Sequence, residues 1–224
     1  MMLRQIAAMI AKDLRIELRT REVLYTSLLF SVVLVTLFIF SGFGETADTR
    51  RAAPGVLWVS MTFVGTLVFG RTFQRERDER ALLGLLLAPG ATKSLYWAKL
   101  CVNLLFLGSV EVVLVPLVAM LFKLQLCLVL GPLVTLLAAG TLGFCALGTV
   151  LAAALSSLRL KEVLMPLVLF PLALPLLLAG VKGTSALIDT PGWQSVQSWL
   201  TLIVAFDMLF LVLSAWLFRQ ALDS

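Results

Sequence analysis

The chain has 224 residues, 60% hydrophobic and only 14% charged, with a mean hydropathy of +1.02 and a net charge of +5. A soluble domain carries about 25% charged residues, and here the apolar residues fall into runs of roughly 20 that could each cross ~30 Å of hydrocarbon, so a soluble core is excluded. Histidine is absent, which excludes every chemistry that needs a His base, a His metal ligand or a His haem ligand.

Residues 3–20 come first. On a helix, Leu3, Ile6, Ala7, Ile10, Leu14 and Leu18 form one stripe, with Lys12, Arg15 and Arg19 on the opposite face. That pattern predicts an amphipathic helix in the inner membrane interface, its basic residues on anionic headgroups. A solvated basic leader is the alternative. The long positive stretch, the long apolar run behind it and the lack of an A-x-A site do not fit a signal peptide.

Six apolar spans follow, at 23–43, 54–72, 95–122, 125–156, 162–181 and 197–218. With no alternating barrel pattern, internal satisfaction of the backbone requires helices. The third and fourth runs exceed one crossing, so tilt is expected. Most Lys and Arg lie before the first span, in 71–99, in 157–161 and at Arg219, against Arg50, Arg51, Lys123 and Lys182 in the alternate segments. The richer side marks the cytoplasm. The expectation is an all-α, multi-pass integral membrane protein of six transmembrane helices with both termini cytoplasmic. Tyr25, Tyr96, Trp97 and Trp216 fall at the inner edges and Trp58, Trp193 and Trp199 at the outer ones, where amphipathic rings are favoured.

Between spans two and three lies the segment 73–94. Its first half pairs Arg75 with Glu79 and Glu76 with Arg80 at i,i+4 spacing. Its second half, Leu82 to Leu87, is apolar and stops at Pro89-Gly90, a helix terminator. This predicts a short surface helix over 74–88 whose leucines face membrane or protein. An ordinary basic loop is the plainer reading.

The third span carries Asn103, Glu111 and Pro116. The fourth repeats small residues every four positions, at Gly148, Ala152 and Ser156, a spacing that lets helices approach. The fifth holds Pro166, Pro171 and Pro175, each of which removes a helix donor and can kink the span or simply pack. The sixth carries Asp207. A charge in mid-membrane costs ~2.5–3.5 kcal/mol or more, so Glu111 and Asp207 must face a cavity, stay protonated or bond a neighbour such as Asn103, Ser109 or Thr141. Glu111 is a functional candidate, and Asp207 is read as structural. Cys101, Cys127 and Cys145 lack C-x-x-C spacing and read as packing residues. No Ser/Lys, Asp/Asp or metal-ligand cluster stands out.

Phe73, Glu76, Glu79, Leu82, Leu86, Pro89 and Lys99 together resemble the F-x-x-E…L…L-L-x-x-P…K pattern of ABC-2-type permeases. More specifically the chain resembles the CcmB family, permease subunits of the cytochrome c maturation system. Ala53-Pro54-Gly55-Val56-Leu57-Trp58, Asn103 with Glu111 and Pro116-Leu117, and Glu162-Val163-Leu164-Met165-Pro166-Leu167 through Pro171 and Pro175 extend the likeness. Arg80-Ala81 departs from the Gly-Thr of many ABC-2 permeases.

The resemblance implies a half-transporter in the bacterial inner membrane with no nucleotide site and no enzymatic activity of its own. No G-x-x-x-x-G-K-[ST] loop occurs, in keeping with this. It implies that a CcmA-type ATPase, which holds the ATP, docks on the coupling helix 74–88 through Phe73, Glu76, Glu79, Arg80, Leu82, Leu86 and Pro89. Residues 3–20 would be an elbow helix. CcmC, CcmD and the haem chaperone CcmE would be further partners, with haem the handled or transported ligand and no cofactor held by the chain itself. Six spans enclose little volume, so a homodimer in membrane lipid is expected. The alternatives are an ABC-2 exporter of polysaccharide or drug, and a passive membrane scaffold.

Overall fold

The computed structural model describes residues 2–40, 47–73, 91–124, 129–156, 158 and 160–223. In chain order the helices are α1 (Met2–Thr20), α2 (Glu22–Phe38), α3 (Ala47–Arg71), α4 (Ala91–Leu121), α5 (Leu130–Leu155), α6 (Lys161–Asp189) and α7 (Trp193–Asp223). No strand occurs among the described residues. Within α3 to α7, five stretches are long and apolar enough to cross a membrane. The 17 described residues of α2 make a sixth candidate when taken with α1, from which α2 is bent by 64°.

Two helices form the centre. The membrane stretch of α5 is 78% buried and that of α3 67%, against 24–33% for α4, α6 and α7. The small residues of α5 explain this, because they let aromatic side chains lie against its backbone. The ring of Phe69 covers Gly148, and a Cβ there would collide with it. Trp58 is the clearest case. Its indole fills the space that a Cβ would need at both Gly140 on α5 and Gly180 on α6, and its Nε1–H donates to Thr184 Oγ1 at 3.0 Å. The Thr184 hydroxyl in turn donates to the Gly180 carbonyl at 2.8 Å, so the polar edge of a 1%-exposed tryptophan is satisfied.

Three features depart from the apolar pattern. Trp58 and Tyr96 are buried between helices, whereas Trp97, Trp193 and Trp216 are exposed. The polar segment 182–196 is mostly helical: α6 continues to Asp189, and the connection to α7 is confined to Thr190–Gly192. Polarity ends an apolar run without ending a helix, and the breakers here are Pro191 and Gly192. Pro54, Pro116, Pro166, Pro171 and Pro175 all lie inside helices.

The third departure is α1. Its partly or fully buried residues are Gln5, Ile6, Met9, Ile10, Asp13, Leu14, Ile16 and Glu17, so a polar row spaced by four runs beside part of the apolar stripe, while Leu3 and Leu18 are 81% and 70% exposed. This helix packs on α4 far more than on α2, its neighbour in sequence. The outward leucines are free for an apolar surrounding, and the polar stripe meets polar partners on α4.

Candidate functional site

Those partners create a charged cleft at one end of the bundle. Lys99, 4% exposed in the first third of α4, donates to Asp13 Oδ2 at 2.8 Å, and Lys12 lies 3.1 Å from the other Asp13 oxygen. Ser94 donates to Gln5 at 3.0 Å one turn earlier on α4. Glu17 is nearly buried, and its Oε1 accepts from the backbone N–H groups of Val23 (2.8 Å) and Leu24 (3.1 Å). A carboxylate on one helix thus caps the open N-terminus of the next, where orphan donors and a positive dipole end meet it. Between them Arg21 takes a left-handed φ of 53° that turns the chain. Arg71, ending α3, pairs with Glu22 of α2.

Deeper in the bundle, Asn103 is 1% exposed and fully engaged. It donates to Thr149 Oγ1 at 2.9 Å and accepts from Thr72 Oγ1 at 3.1 Å. One amide therefore joins α3, α4 and α5. Phe73 is also buried: its ring lies 5.6 Å below the Lys99 ammonium and 6.0 Å from Phe218 near the end of α7. The turn that follows α3, just before segment 74–90, is thus tied to α1, α4 and α7 at one point. Glu76, Glu79, Arg80, Leu82, Leu86 and Pro89, with the expected helix 74–88, lie outside the described residues.

The cleft encloses about 710 Å³ and is bounded by α1, α2, α3, α4 and α6. That is the size range of small-molecule sites, roughly 300–1,000 Å³. Its mouth holds the ion pairs just described, and its inner wall is Phe63, Phe106, Met165 and Phe170. A smaller cavity of about 100 Å³ lies near the opposite end, among Pro54, Leu57, Val118, Leu133 and Leu187.

The two intramembrane carboxylates flank α5. Thr141 of α5 donates to Glu111 of α4, so of the three neighbours considered, Thr141 is the partner; Asn103 and Ser109 bond elsewhere. Asp207 of α7 is 5% exposed and presses against Gly143, where any Cβ would strike it. Its Oδ1 has no hydrogen-bond partner among the described residues. Cys145 is buried and Cys101 half-buried, both as free thiols, and no group of three or more His, Cys, Asp or Glu suited to a metal occurs among the described residues.

Sequence reasoning missed Asp13, Glu17 and Glu22 as site residues. The available signal was two acids four residues apart, in line with Gln5 and Met9, on an otherwise basic helix.

Long apolar helices around a glycine-rich centre, with a polar cleft at one end, define a multi-pass helical membrane protein. The family model described as "CcmB protein" matches residues 4–224, and the chain belongs to that family. It is 26% identical over 208 residues to "Heme exporter protein B" of Bradyrhizobium diazoefficiens, covering 93% of this chain and 92% of that protein. The proteins of the same name from Rhodobacter capsulatus and Pseudomonas aeruginosa are 29% and 25% identical, covering 78% and 89% of this chain and 80% and 89% of their own lengths.

Proposed function

We propose that this chain is the membrane permease subunit of a haem-export complex for cytochrome c maturation, working as a homodimer in the bacterial inner membrane with both termini cytoplasmic. The observation that carries the reading is the match to proteins named heme exporter protein B along nearly the whole chain. In this reading a CcmA-type ATPase docks on residues 74–88, α1 serves as the elbow helix, and CcmC, CcmD and CcmE complete the assembly. The chain carries no catalysis itself; ATP is hydrolysed on the partner.

The geometry supports a transducer more than a haem carrier. With no histidine in the sequence, axial ligation would fall to Met, Cys or Tyr, and Met165 is the sulfur ligand on the cleft wall among the described residues. The packed contact of Phe73 with Lys99 and Phe218 is suited to passing a push on segment 74–90 into α1, α4 and α7. Closure of the ATPase would tilt these helices and release the haem-loaded chaperone from the complex.

The test is a reconstituted complex with wild-type or hydrolysis-dead ATPase, reading the rate at which holo-chaperone leaves. ATP-dependent release is expected only with the active ATPase. Equal release from both complexes overturns the mechanism. Glu76→Lys or Leu86→Asp should uncouple ATPase stimulation; loss of assembly alone would instead favour a passive scaffold.

A further inference from the structure

The cleft continues as a groove along α3. That helix is largely buried, yet Val59, Phe63 and Leu67 are 38–39% exposed, in line at i, i+4 and i+8. The stripe is flanked by α2 and α6, each in ring contact with Phe63 through Phe30 and Phe170. Among the described residues α6 packs on α3, α5 and α7 and makes no comparable packing with α2 or α4, so the groove stays open along its side. From Val59 to Arg71 it runs about 18 Å at 1.5 Å per residue. That is close to the ~15 Å hydrocarbon depth of one leaflet, with a charged mouth at its end.

The charges of that mouth are nearly all engaged within the chain. Asp13 is held by Lys99 and Lys12, Glu17 by two backbone N–H groups, and Glu22 by Arg71. Glu162, in the first turn of α6, lines the same cleft and makes no hydrogen bond or ion pair among the described residues. The Arg71–Glu22 pair is solvent-exposed at 40% and 60%, so it contributes little and can exchange partners. Among the described residues the mouth thus offers a carboxylate without a partner, Glu162, and an exchangeable guanidinium, Arg71, above an apolar, ring-lined track.

We propose that this groove binds a zwitterionic phospholipid with a primary ammonium headgroup, drawn from the surrounding leaflet. Its ammonium is held by Glu162, its phosphate by Arg71, and an acyl chain lies along Leu67, Phe63 and Val59. The site is independent of the haem reading. A ligand whose only charges are carboxylates is repelled by Glu162, so the mouth selects against it.

The test uses the full-length chain in nanodiscs of equal phosphatidylethanolamine and phosphatidylglycerol, reading by native mass spectrometry which lipid stays bound. Wild type should retain phosphatidylethanolamine over phosphatidylglycerol by about tenfold, the scale of one charge-assisted hydrogen bond. Glu162→Gln should abolish that preference, Glu162→Asp should keep it, and Arg71→Gln should weaken retention of both lipids alike. Equal retention by wild type, or a preference that survives Glu162→Gln, overturns the site. If Leu67→Cys chains cross-link to one another in membranes, a second copy covers the groove and the proposal also fails.

Discussion

Lys99 on α4 joins Asp13 of α1 to the ring of Phe73 at the foot of α3: its Nζ lies 2.8 Å from the Asp13 carboxylate and 5.6 Å from the ring centroid. Both partners of the ion pair are nearly buried, with side-chain exposures of 6% and 13%. Removing one partner of such a pair strands the other and costs about 3–5 kcal/mol, whereas replacing both with apolar groups is often close to neutral. Because Lys12 also reaches Asp13, Lys99→Met is expected near the lower end of that range. Lys99→Met/Asp13→Leu should recover most of the loss. Thermal unfolding in one fixed detergent checks this, and a double variant no more stable than the single would remove the pairing argument.

Glu17 gives a more local expectation. Its carboxylate caps α2 at Val23 and Leu24, a role in which losing the side-chain acceptor costs about 1 kcal/mol. Glu17→Ala should therefore accelerate hydrogen exchange at the amides of residues 23 and 24 while leaving α5 unchanged. Glu17→Gln, which keeps an acceptor oxygen, should fall between the two. Unaltered exchange at 23 and 24 in the alanine variant would mean that solvent or another group caps the helix.

Multiple helical membrane spans were legible because apolar run length signals them, and Thr141 stood among three polar neighbours, with Asn103 and Ser109, that the intramembrane carboxylates could bond. What apolar periodicity could not show is the polar row by which α1 meets α4 beside its half-buried Ile6 and Ile10. That row is set by polar complementarity, Gln5 to Ser94 and Asp13 to Lys99, across 86 to 89 positions of sequence. Trp58 likewise sits near the end of an apolar run, where a belt tryptophan is expected. Its burial follows from glycines 140 and 180 on two other helices, which no reading of its own neighbours reveals. Helix α6 overran its apolar run because polar residues such as Lys182 and Thr184 are still good enough for a helix that ends only at Pro191.

The Trp58 notch is correspondingly intolerant. Gly180→Ala puts a methyl into the indole ring, and overpacking of this kind costs about 1–3 kcal/mol. Thr184→Val keeps the shape but leaves the indole N–H without its acceptor, again about 1–3 kcal/mol. Because both changes act on one side chain, their effects should not add in the double variant. Intrinsic tryptophan fluorescence and unfolding temperature report the outcome; full additivity would show that Trp58 does not link the two sites.

Glu111 separates structure from function. The Thr141 hydroxyl lies in bonding reach of both Glu111 and the carbonyl of Leu137, the latter at 2.8 Å, so removing the carboxyl strands no donor. A buried polar group replaced by an apolar one of similar size is then close to neutral for folding. Glu111→Leu is expected to unfold at about the wild-type temperature, and Glu111→Gln likewise. If the carboxyl takes part in transmitting ATPase motion, the leucine variant will be folded and assembled but will fail to release holo-chaperone. A Glu111→Leu protein that supports full cytochrome c maturation would assign Glu111 to packing alone, and a Glu111→Gln protein that does so would remove any role for its charge.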